Sequence, residues 1–460
     1  MARLGGFSNQ RYPLVRVATL CGGLVVRPMD KIVEDVQIDS RKCSSNSLFF
    51  ALDGTKERGV SFVGDAAKRG ACAVVVPIAE KELALALVKP YRCALILVQD
   101  PLIALQSLAC EYRRMLPQVT NVGITGSCGK STTKEALASI AKILGKTVKT
   151  PGNLNSEIGL PLSILQLESD TQFGIFEMGI DHVGEMDRMV DMLRPDIGLL
   201  TNVGISHLEK FEKRSTILRE KGKIFHSGMT MGFVSDDCPY ASILEKRSHL
   251  SLKQYGITDM KAVDRGLDGW DLTFEGESFH VACVGRHLLS DVMGAIQVSL
   301  ALGSDRKDIA EGLEGFQAMK GRSFVHKSGV TIIDDSYNAS PDSTSSILGY
   351  LKALAWKGEK KVVLGPMKEL GSESRKAHTM VARQLYASQM GSAYLYGQEM
   401  KGAYDLLKKS GYSNSLFYTD DFSELENHVI SKSRQGDLFL LKASRSVAME
   451  RLIPALSHVG

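Results

Sequence analysis

Residues 122–133 combine the residue types that bind phosphate. They read Val-Gly-Ile-Thr-Gly-Ser-Cys-Gly-Lys-Ser-Thr-Thr, and a run with apolar residues at helical spacing follows. Glycines let backbone N–H groups approach phosphate oxygens, a helix N-terminus favours negative charge, and Gly-Lys-Ser adds a cation and a hydroxyl. The loop is more compact than the usual P-loop, because Ile124 stands where a glycine is common. A glycine-rich turn that only starts a helix is the alternative. The predicted nucleotide-binding residues are Gly126, Ser127, Cys128, Gly129, Lys130, Ser131 and Thr132, and Lys130 is also a predicted catalytic residue.

Two later strand patterns end in side chains that could hold a metal. One runs from 173 to 176 into Glu177, and another runs from 197 to 203 and is followed by His207. In a parallel sheet both strand ends would share an edge with the phosphate loop, where Mg²⁺ is commonly held. A helix N-cap is the alternative for Glu177, and a structural role is the alternative for His207. We predict Ser131, Glu177 and His207 as metal ligands. The amide-rich loop that begins at Thr150 predicts a further nucleotide contact, at Asn153.

A helical pattern from 215 to 225 contains Lys221 and Lys223. An ammonium group has no lone pair for Mg²⁺. Residue chemistry therefore places both lysines on a solvated helix face.

The composition is that of an ordinary globular chain of several domains. It has 460 residues, 44% hydrophobic and 23% charged, with a net charge of +4. The small charge gives no reason to expect a nucleic acid partner. No apolar run approaches the roughly 20 residues that span a bilayer, and the N-terminus lacks a signal-peptide pattern. The eight cysteines form no CxxC pair, which predicts reduced thiols in the cytoplasm.

Alternating strand and helix patterns predict an α/β fold with three domains. A small α/β domain covers residues 1–111, a central P-loop ATPase-like domain with a parallel sheet covers 112–318, and a Rossmann-like α/β domain covers 319–460. In the first domain, Ser40 and Arg41 follow a strand and are predicted to bind a substrate diphosphate or ribose; a capped turn is the alternative. In the third, Ser444 and Arg445 follow a strand, where an arginine could fix a substrate carboxylate.

Several stretches together resemble the Mur ligases, which are ATP-dependent amide-forming enzymes of peptidoglycan precursor synthesis. The stretches are Thr-Gly-Ser-Cys-Gly-Lys-Ser-Thr-Thr-Lys from Thr125, Thr-Pro-Gly-Asn-Leu-Asn-Ser-Glu from Thr150, Glu-Met-Gly from Glu177 and Thr-Asn-Val-Gly-Ile-Ser-His-Leu-Glu-Lys-Phe from Thr201. In the third domain, Asp-Ser-Tyr-Asn-Ala-Ser-Pro-Asp-Ser from Asp335 and Leu-Gly-Pro-Met-Lys-Glu-Leu-Gly from Leu364 resemble the branch that adds D-alanyl-D-alanine. The chain departs from the family pattern at Arg58, Lys223, Leu288, Asp291, Pro366 and Ala443.

The resemblance implies a monomeric ligase that uses ATP and two Mg²⁺ ions. It implies that D-alanyl-D-alanine is joined to UDP-N-acetylmuramoyl-tripeptide through an acyl phosphate. Lys221 would be carbamylated, and it would hold the second Mg²⁺ with His207. Lys130, Glu177, His207 and Lys221 would form the catalytic set. Arg322, Tyr337 and Asn338 would reach the nucleotide from the third domain.

Two other functions stay open at this point. A ligase of the same fold could add a diamino acid or glutamate instead. A P-loop ATPase could bind cell-wall fragments without joining them.

Overall fold

Three sheet-based units follow one another along the chain, which has the expected α/β class. The computed structural model describes residues 12–205 and 207–459. The first 11 residues of the predicted N-terminal domain, and with them the signal-peptide prediction, lie outside the described residues. Within the described ranges no helix is long and apolar enough to cross a membrane.

The first unit is built on a five-stranded sheet in the order β2-β7-β6-β5-β4, in which only β2 is antiparallel to its neighbour. Strands β1 and β3 form a separate antiparallel pair. The predicted strands at 48–51, 73–76 and 94–98 are confirmed, and the pattern over 33–38 is divided between two strands. The elements are β1 (Tyr12–Pro13), α1 (Leu14–Leu20), β2 (Leu24–Arg27), β3 (Ile32–Val33), β4 (Asp35–Gln37), β5 (Ser47–Phe50), α2 (Val63–Lys68), β6 (Ala73–Pro77), α3 (Lys81–Val88), β7 (Ala94–Val98) and α4 (Pro101–Arg114).

The second unit has a six-stranded sheet in the order β13-β12-β11-β8-β10-β9, and all its strands are parallel. An antiparallel sheet, β14-β15-β16, follows it, which the sequence did not predict. The elements are β8 (Thr120–Thr125), α5 (Lys130–Leu144), β9 (Thr147–Lys149), α6 (Gly159–Ile164), β10 (Phe173–Glu177), α7 (Glu185–Leu193), β11 (Ile197–Leu200), α8 (Leu208–Phe211), α9 (Arg214–Gly222), β12 (Met231–Ser235), α10 (Ala241–Ser248), β13 (Leu252–Tyr255), β14 (Lys261–Asp264), β15 (Trp270–Phe274), β16 (Glu277–Val281), α11 (Leu288–Ala301) and α12 (Arg306–Glu314).

The third unit has a six-stranded sheet in the order β17-β18-β22-β19-β20-β21, with β17 antiparallel at one edge. Its three predicted strands, at 330–335, 361–365 and 437–442, are confirmed. Helix α13 begins as its sequence suggests, because Ser340 forms a capping box with Ser343 and Pro341 takes the first helical position. The elements are β17 (Phe324–Lys327), β18 (Thr331–Asp334), α13 (Pro341–Ala353), β19 (Lys360–Leu364), α14 (Ser374–Ser388), β20 (Ser392–Tyr396), α15 (Lys401–Lys409), β21 (Ser415–Thr419), α16 (Phe422–Ser431), β22 (Leu438–Lys442) and α17 (Leu452–Ser457).

Packing is continuous between neighbouring units. Helix α4 extends past the predicted boundary at 111, and the Tyr112 hydroxyl donates to the Leu167 carbonyl of the second unit at 2.5 Å. One hydrophobic core joins Leu48 and Ile96 of the first sheet to Phe176 of the second, and another joins Ile124 to Leu364 of the third. These cores cross the predicted domain boundaries. The exact boundaries therefore stay predictions.

Candidate active site

Two glycines shape the loop that follows β8. Gly126 and Gly129 have φ angles of 152° and 84°, which other residues rarely adopt. A Cβ atom on Gly126 would lie 1.9 Å from the Thr201 hydroxyl, and one on Gly129 would lie 2.0 Å from a carboxylate oxygen of Asp291. Only glycine fits at either position, so the loop approaches both neighbours closely and then enters α5 at Lys130.

The first turn of α5 supplies the free amides of this loop. Two earlier amides are already engaged, because Ser127 donates to the Asn202 carbonyl and Cys128 donates to the Asn202 side chain. The first N–H groups of a helix have no partner within the helix and attract anions. The amides left for phosphate therefore include those at the start of α5, beginning with Lys130.

Glu177 ends β10 beside this turn. Its Oε2 accepts from the Ser131 hydroxyl at 2.7 Å, and its Oε1 accepts from Asn155 Nδ2 at 2.6 Å. Burial would raise the pKa of Glu177, but the charges of Lys130 and Arg322 outweigh it and lower that pKa. The carboxylate is thus ionised and buried next to a hydroxyl, as a Mg²⁺ site requires.

The amide-rich loop presents Asn155 to the site, and the nucleotide contact at Asn153 stays a prediction. Leu154 donates to the Pro151 carbonyl, and Gly152 has a φ of 52°, so the chain turns at this point. The turn leaves Asn153 exposed and directs Asn155 to Glu177. Asn153 and Asn155, which are two residues apart, therefore lie on opposite sides of this turn.

Lys130 and Lys221 share one acceptor behind the loop. Their Nζ atoms donate to the Gly126 carbonyl at 2.8 and 3.0 Å. Burial lowers the pKa of Lys221 to about 7, and the charge of Lys130 adds to this effect. Lys221 is 1% exposed, so the solvated helix face expected from residue chemistry is wrong. An amine with this pKa is about half neutral at pH 7.

His207 contacts the third domain. Its Nδ1 lies 2.5 Å from Glu369 Oε2, and this contact lowers the pKa of Glu369. No described contact joins His207 to Lys221.

Two buried carboxylates at the end of β18 fix the part of the third domain that forms one wall of the site. Asp334 accepts from the Gly321 amide, and Asp335 accepts from the Ser323 amide, which fixes the loop around Arg322. The Arg322 guanidinium lies over the Tyr337 ring at 4.2 Å. This wall therefore presents a cation and an aromatic ring to the phosphate loop.

A cavity of about 920 Å³ lies between the central and third domains. Most predicted site residues of those two domains line it, whereas Gly126, Ser131, Asn153 and Lys221 do not. The predicted residues that line it are Ser127, Cys128, Gly129, Lys130, Thr132, Glu177, His207, Arg322, Tyr337, Asn338, Ser444 and Arg445.

Comparison with known proteins identifies the family. Three family models match in chain order: "Mur ligase family, catalytic domain" over residues 33–113, "Mur ligase middle domain" over 124–299 and "Mur ligase, glutamate ligase domain" over 321–445. A relative from Treponema pallidum, named UDP-N-acetylmuramoyl-tripeptide–D-alanyl-D-alanine ligase, is 33% identical over 96% of this chain and 97% of its own. The chain belongs to the Mur ligase family.

Other relatives of this Mur ligase agree over nearly the full length. A Bacillus subtilis protein with the same name as the Treponema relative is 30% identical over 96% of this chain and 97% of its own. A crystal structure of MurF from Acinetobacter baumannii has a TM-score of 0.84 and 26% identity, and it covers 97% of this chain and 99% of that one. The structure of MurF ligase from Thermotoga maritima in complex with ADP has a TM-score of 0.74 and 26% identity, covering 92% and 96%. These similarities confirm the three-domain α/β fold.

The predicted substrate residues of the first domain lie outside the cavity of this Mur ligase. Asp39 accepts from the Arg41 amide and pairs with its side chain, and the Ser40 hydroxyl donates to Asp65 at 2.8 Å. This is the capped turn that the sequence left open. A substrate role for Ser40 and Arg41 stays a prediction.

Two departures from the family pattern have clear surroundings. Lys223 pairs with Glu220 and Asp187, at 2.7 and 2.6 Å, so its charge is compensated away from the cavity. Asp291 packs on Gly129, and burial raises its pKa to about 7, although Arg322 and Lys130 oppose this shift.

Sequence reasoning missed three groups of the site. Asn155 lies in the loop from which Asn153 was chosen, and Lys368 and Glu369 lie in the stretch quoted from Leu364. The residue types were visible, but neither the turn that selects Asn155 nor the contact between Glu369 and His207 has a local sequence signal.

Proposed function

We propose that this Mur ligase uses ATP to join D-alanyl-D-alanine to UDP-N-acetylmuramoyl-tripeptide. The observation that carries the proposal is the shared cavity, which is lined by Lys130 and Glu177 of the phosphate loop region and by Lys368 and Arg445 of the third domain. A nucleotide site that only hydrolyses ATP has no need of a second domain with its own cations. The relatives named for this reaction match the chain over 96% of its length.

The proposed reaction has two steps. A carboxylate oxygen of the tripeptide attacks the γ-phosphorus, the bond from that phosphorus to the ADP oxygen breaks, and an acyl phosphate forms. The amine of D-alanyl-D-alanine then attacks the acyl carbon, the carbon–oxygen bond to phosphate breaks, and a proton is released. The N-terminal amides of α5 and Lys130 bind the phosphates and offset the repulsion between two anions.

Ser131 and Glu177 fit a Mg²⁺ ion. The Ser131 hydroxyl and the Glu177 carboxylate are both hard oxygen donors, they lie 2.7 Å apart, and they adjoin the phosphate loop. When bound there, the ion would neutralise charge on the phosphate oxygens. Asn155 orients Glu177 for this role.

His207 and a carbamylated Lys221 would hold a second Mg²⁺ ion. As an amine, Lys221 does not fit a metal, because it donates to the Gly126 carbonyl. A carbamate forms when a neutral amine adds CO₂ and loses a proton. The burial of Lys221 and its pKa of about 7 support that proposal, since they favour the neutral amine.

The third domain would complete the site. Arg322, Tyr337 and Asn338 would contact the nucleotide, and Ser444 and Arg445 would bind a substrate carboxylate. Closure of the domains around the substrates would exclude water and so protect an acyl phosphate from hydrolysis. We place the enzyme in the cytoplasm, which the eight free thiols support, and its monomeric state stays a prediction.

The test is which amine supports release of phosphate from ATP. The purified chain is given ATP, Mg²⁺ and UDP-N-acetylmuramoyl-tripeptide, with D-alanyl-D-alanine, a diamino acid or glutamate as the acceptor. We expect phosphate release and a new amide only with D-alanyl-D-alanine. A preference for another amine would assign a different ligase reaction, and hydrolysis that ignores the amine would make the chain a non-ligating ATPase.

A further inference from the structure

One loop of the third domain reaches across the cavity and contacts α8 of the central domain. We call residues 365–371, between β19 and the turn Gly371–Glu373, the bridging loop. Glu369 Oε2 lies 2.5 Å from His207 Nδ1, and the Glu369 carbonyl accepts from the Glu209 amide at 3.2 Å. A Cβ atom on Gly371 would lie 3.2 Å from Glu209 Cα. The contact between the domains is thus made by side chain, backbone and close packing together.

The bridging loop is held firmly from its own side. The Met367 amide donates to Nε2 of the buried His378 at 3.0 Å, and the Lys368 amide donates to the Ser444 hydroxyl at 2.8 Å. The Ser444 amide donates in turn to the Pro366 carbonyl at 3.1 Å. Glu369 is therefore presented by a fixed backbone, which distinguishes it from a mobile surface carboxylate.

The geometry assigns different tasks to the two ring nitrogens of His207. The contact has an ion-pair distance without the geometry of a hydrogen bond, and the negative charge beside Nδ1 favours the tautomer with its proton on that nitrogen. The other nitrogen, Nε2, is then unprotonated and can bind a cation from the cavity that His207 lines. The half-buried ring, with 28% of its side chain exposed, is open enough for that contact.

We propose that Glu369 is a positioning residue for His207. From the third domain it holds Nδ1, so Nε2 is presented to a divalent cation only while the central and third domains are docked. The proposal rests on the proposed function, because the role of His207 as a cation ligand belongs to it. Binding of the cation and docking of the domains are coupled through this one pair.

The test compares Glu369→Ala and Glu369→Gln with Glu373→Ala in the full-length chain. Glu373 is the matched control, since it pairs with Lys376 at the end of α14 nearest to the bridging loop. The first measurement uses ¹⁵N NMR of the histidine rings in metal-free protein, with the His207 signals assigned by their loss in His207→Gln. In the parent chain we expect a protonated Nδ1 and a bare Nε2. In Glu369→Ala we expect mixed tautomers, and in Glu373→Ala no change.

The second measurement is the Mg²⁺ concentration that gives half-maximal amide formation. We expect Glu369→Ala to raise it by about 10- to 100-fold, in the range seen when the partner of a ligating histidine is removed. Glu369→Gln should raise it less, because an oxygen dipole still lies beside Nδ1 although the full charge is lost.

The outcomes separate the inference from the proposed function. If the parent chain forms no amide, the proposed function fails, while the ring signals still decide whether Glu369 sets the tautomer. If Glu369→Ala leaves the ring signals and the Mg²⁺ requirement of an active chain unchanged, Glu369 does not position His207. A circular dichroism spectrum that matches the parent chain excludes misfolding as the cause of any change.

Discussion

At the scale of single residues, the Gly126 carbonyl connects the two lysines of the site. Lys130 and Lys221 both donate to it, although one belongs to the phosphate loop and the other to α9. Two cations on one acceptor repel each other, and this repulsion, added to burial, favours the neutral form of Lys221. The Gly126 carbonyl thus places a lysine of α9 directly behind the phosphate loop.

Replacement of Lys221 tests its proposed carbamate. We expect Lys221→Ala to lower amide formation by at least about a hundredfold, because even changes next to a ligand cost 10- to 100-fold. Added acetate or formate should restore part of the activity by supplying the missing oxygens. Lys223→Ala is the control, since Lys223 pairs with Glu220 and Asp187 outside the cavity. Full activity of Lys221→Ala would remove the carbamate from the mechanism.

His287 should make stability depend on pH. Burial lowers its pKa from 6.5 to about 4, and its Nδ1 has no hydrogen-bond partner among the described residues. The unfolded chain takes up a proton near pH 6.5, but the folded chain does so only near pH 4. The free energy of unfolding should thus fall as the pH drops through this window, by up to about 3 kcal/mol from this group.

Urea unfolding at pH 7.5 and pH 4.5 measures this effect. The drop in unfolding free energy between the two pH values should be smaller in His287→Gln than in the parent chain. The exposed His458 offers a control, because His458→Gln should leave the drop unchanged. Equal drops in all three proteins would mean that His287 is protonated in the folded state.

At the scale of elements, a turn in the loop between β9 and α6 determines which of its asparagines faces the site. The turn at Pro151–Leu154 directs Asn155 inward, and the Asn155 carbonyl also accepts from the Gly179 amide. Buried Lys134 holds the loop from α5 by donating to the carbonyls of Thr150 and Gly152. The loop after β9, helix α5 and the end of β10 are thereby tied together around Glu177.

The two asparagines of this loop form a matched pair for mutation. Asn155→Ala removes a hydrogen bond to the ionised Glu177, worth about 1.5–3 kcal/mol, so we expect the rate of amide formation to fall by about 10- to 100-fold. Asn153→Ala removes an exposed side chain and should leave the rate unchanged. The opposite ranking in steady-state rates would make Asn153 the functional residue of this loop.

At the scale of the whole molecule, the site exists because two domains dock. The phosphate loop and the start of α13 meet where Cys128 Sγ lies 3.5 Å from the Ser340 hydroxyl. Substrates must enter the cavity and products must leave it, and such steps commonly require the domains to part.

A disulfide across this contact should lock the arrangement. In Ser340→Cys, oxidation should join the new thiol to Cys128 and abolish turnover, and a reductant should restore it. Mass spectrometry of the oxidised protein confirms the bond, and Cys128→Ser combined with Ser340→Cys is the control. Full turnover of the cross-linked chain would show that the domains need not separate.

Much of the fold was predictable because its signals are local. The strand patterns at residues 48–51, 94–98, 361–365 and 437–442 all correspond to observed strands. The antiparallel sheet β14-β15-β16 was not predicted, and its edge strand Lys261–Asp264 is exposed throughout, so it lacks the alternation of a half-buried strand.

The motifs of the sequence by themselves indicated the compact phosphate loop and the family. The sequence also indicated the carboxylate at Glu177, because parallel strands bring their carboxyl ends to one edge. Only the tertiary structure decided that Asn155 contacts Glu177, that Lys221 is buried against Gly126, and that Glu369 contacts His207. Each of these depends on the direction of a turn or on the docking of distant segments. Sequence spacing encodes which strand end a residue occupies, but not which side chain of another domain it will meet.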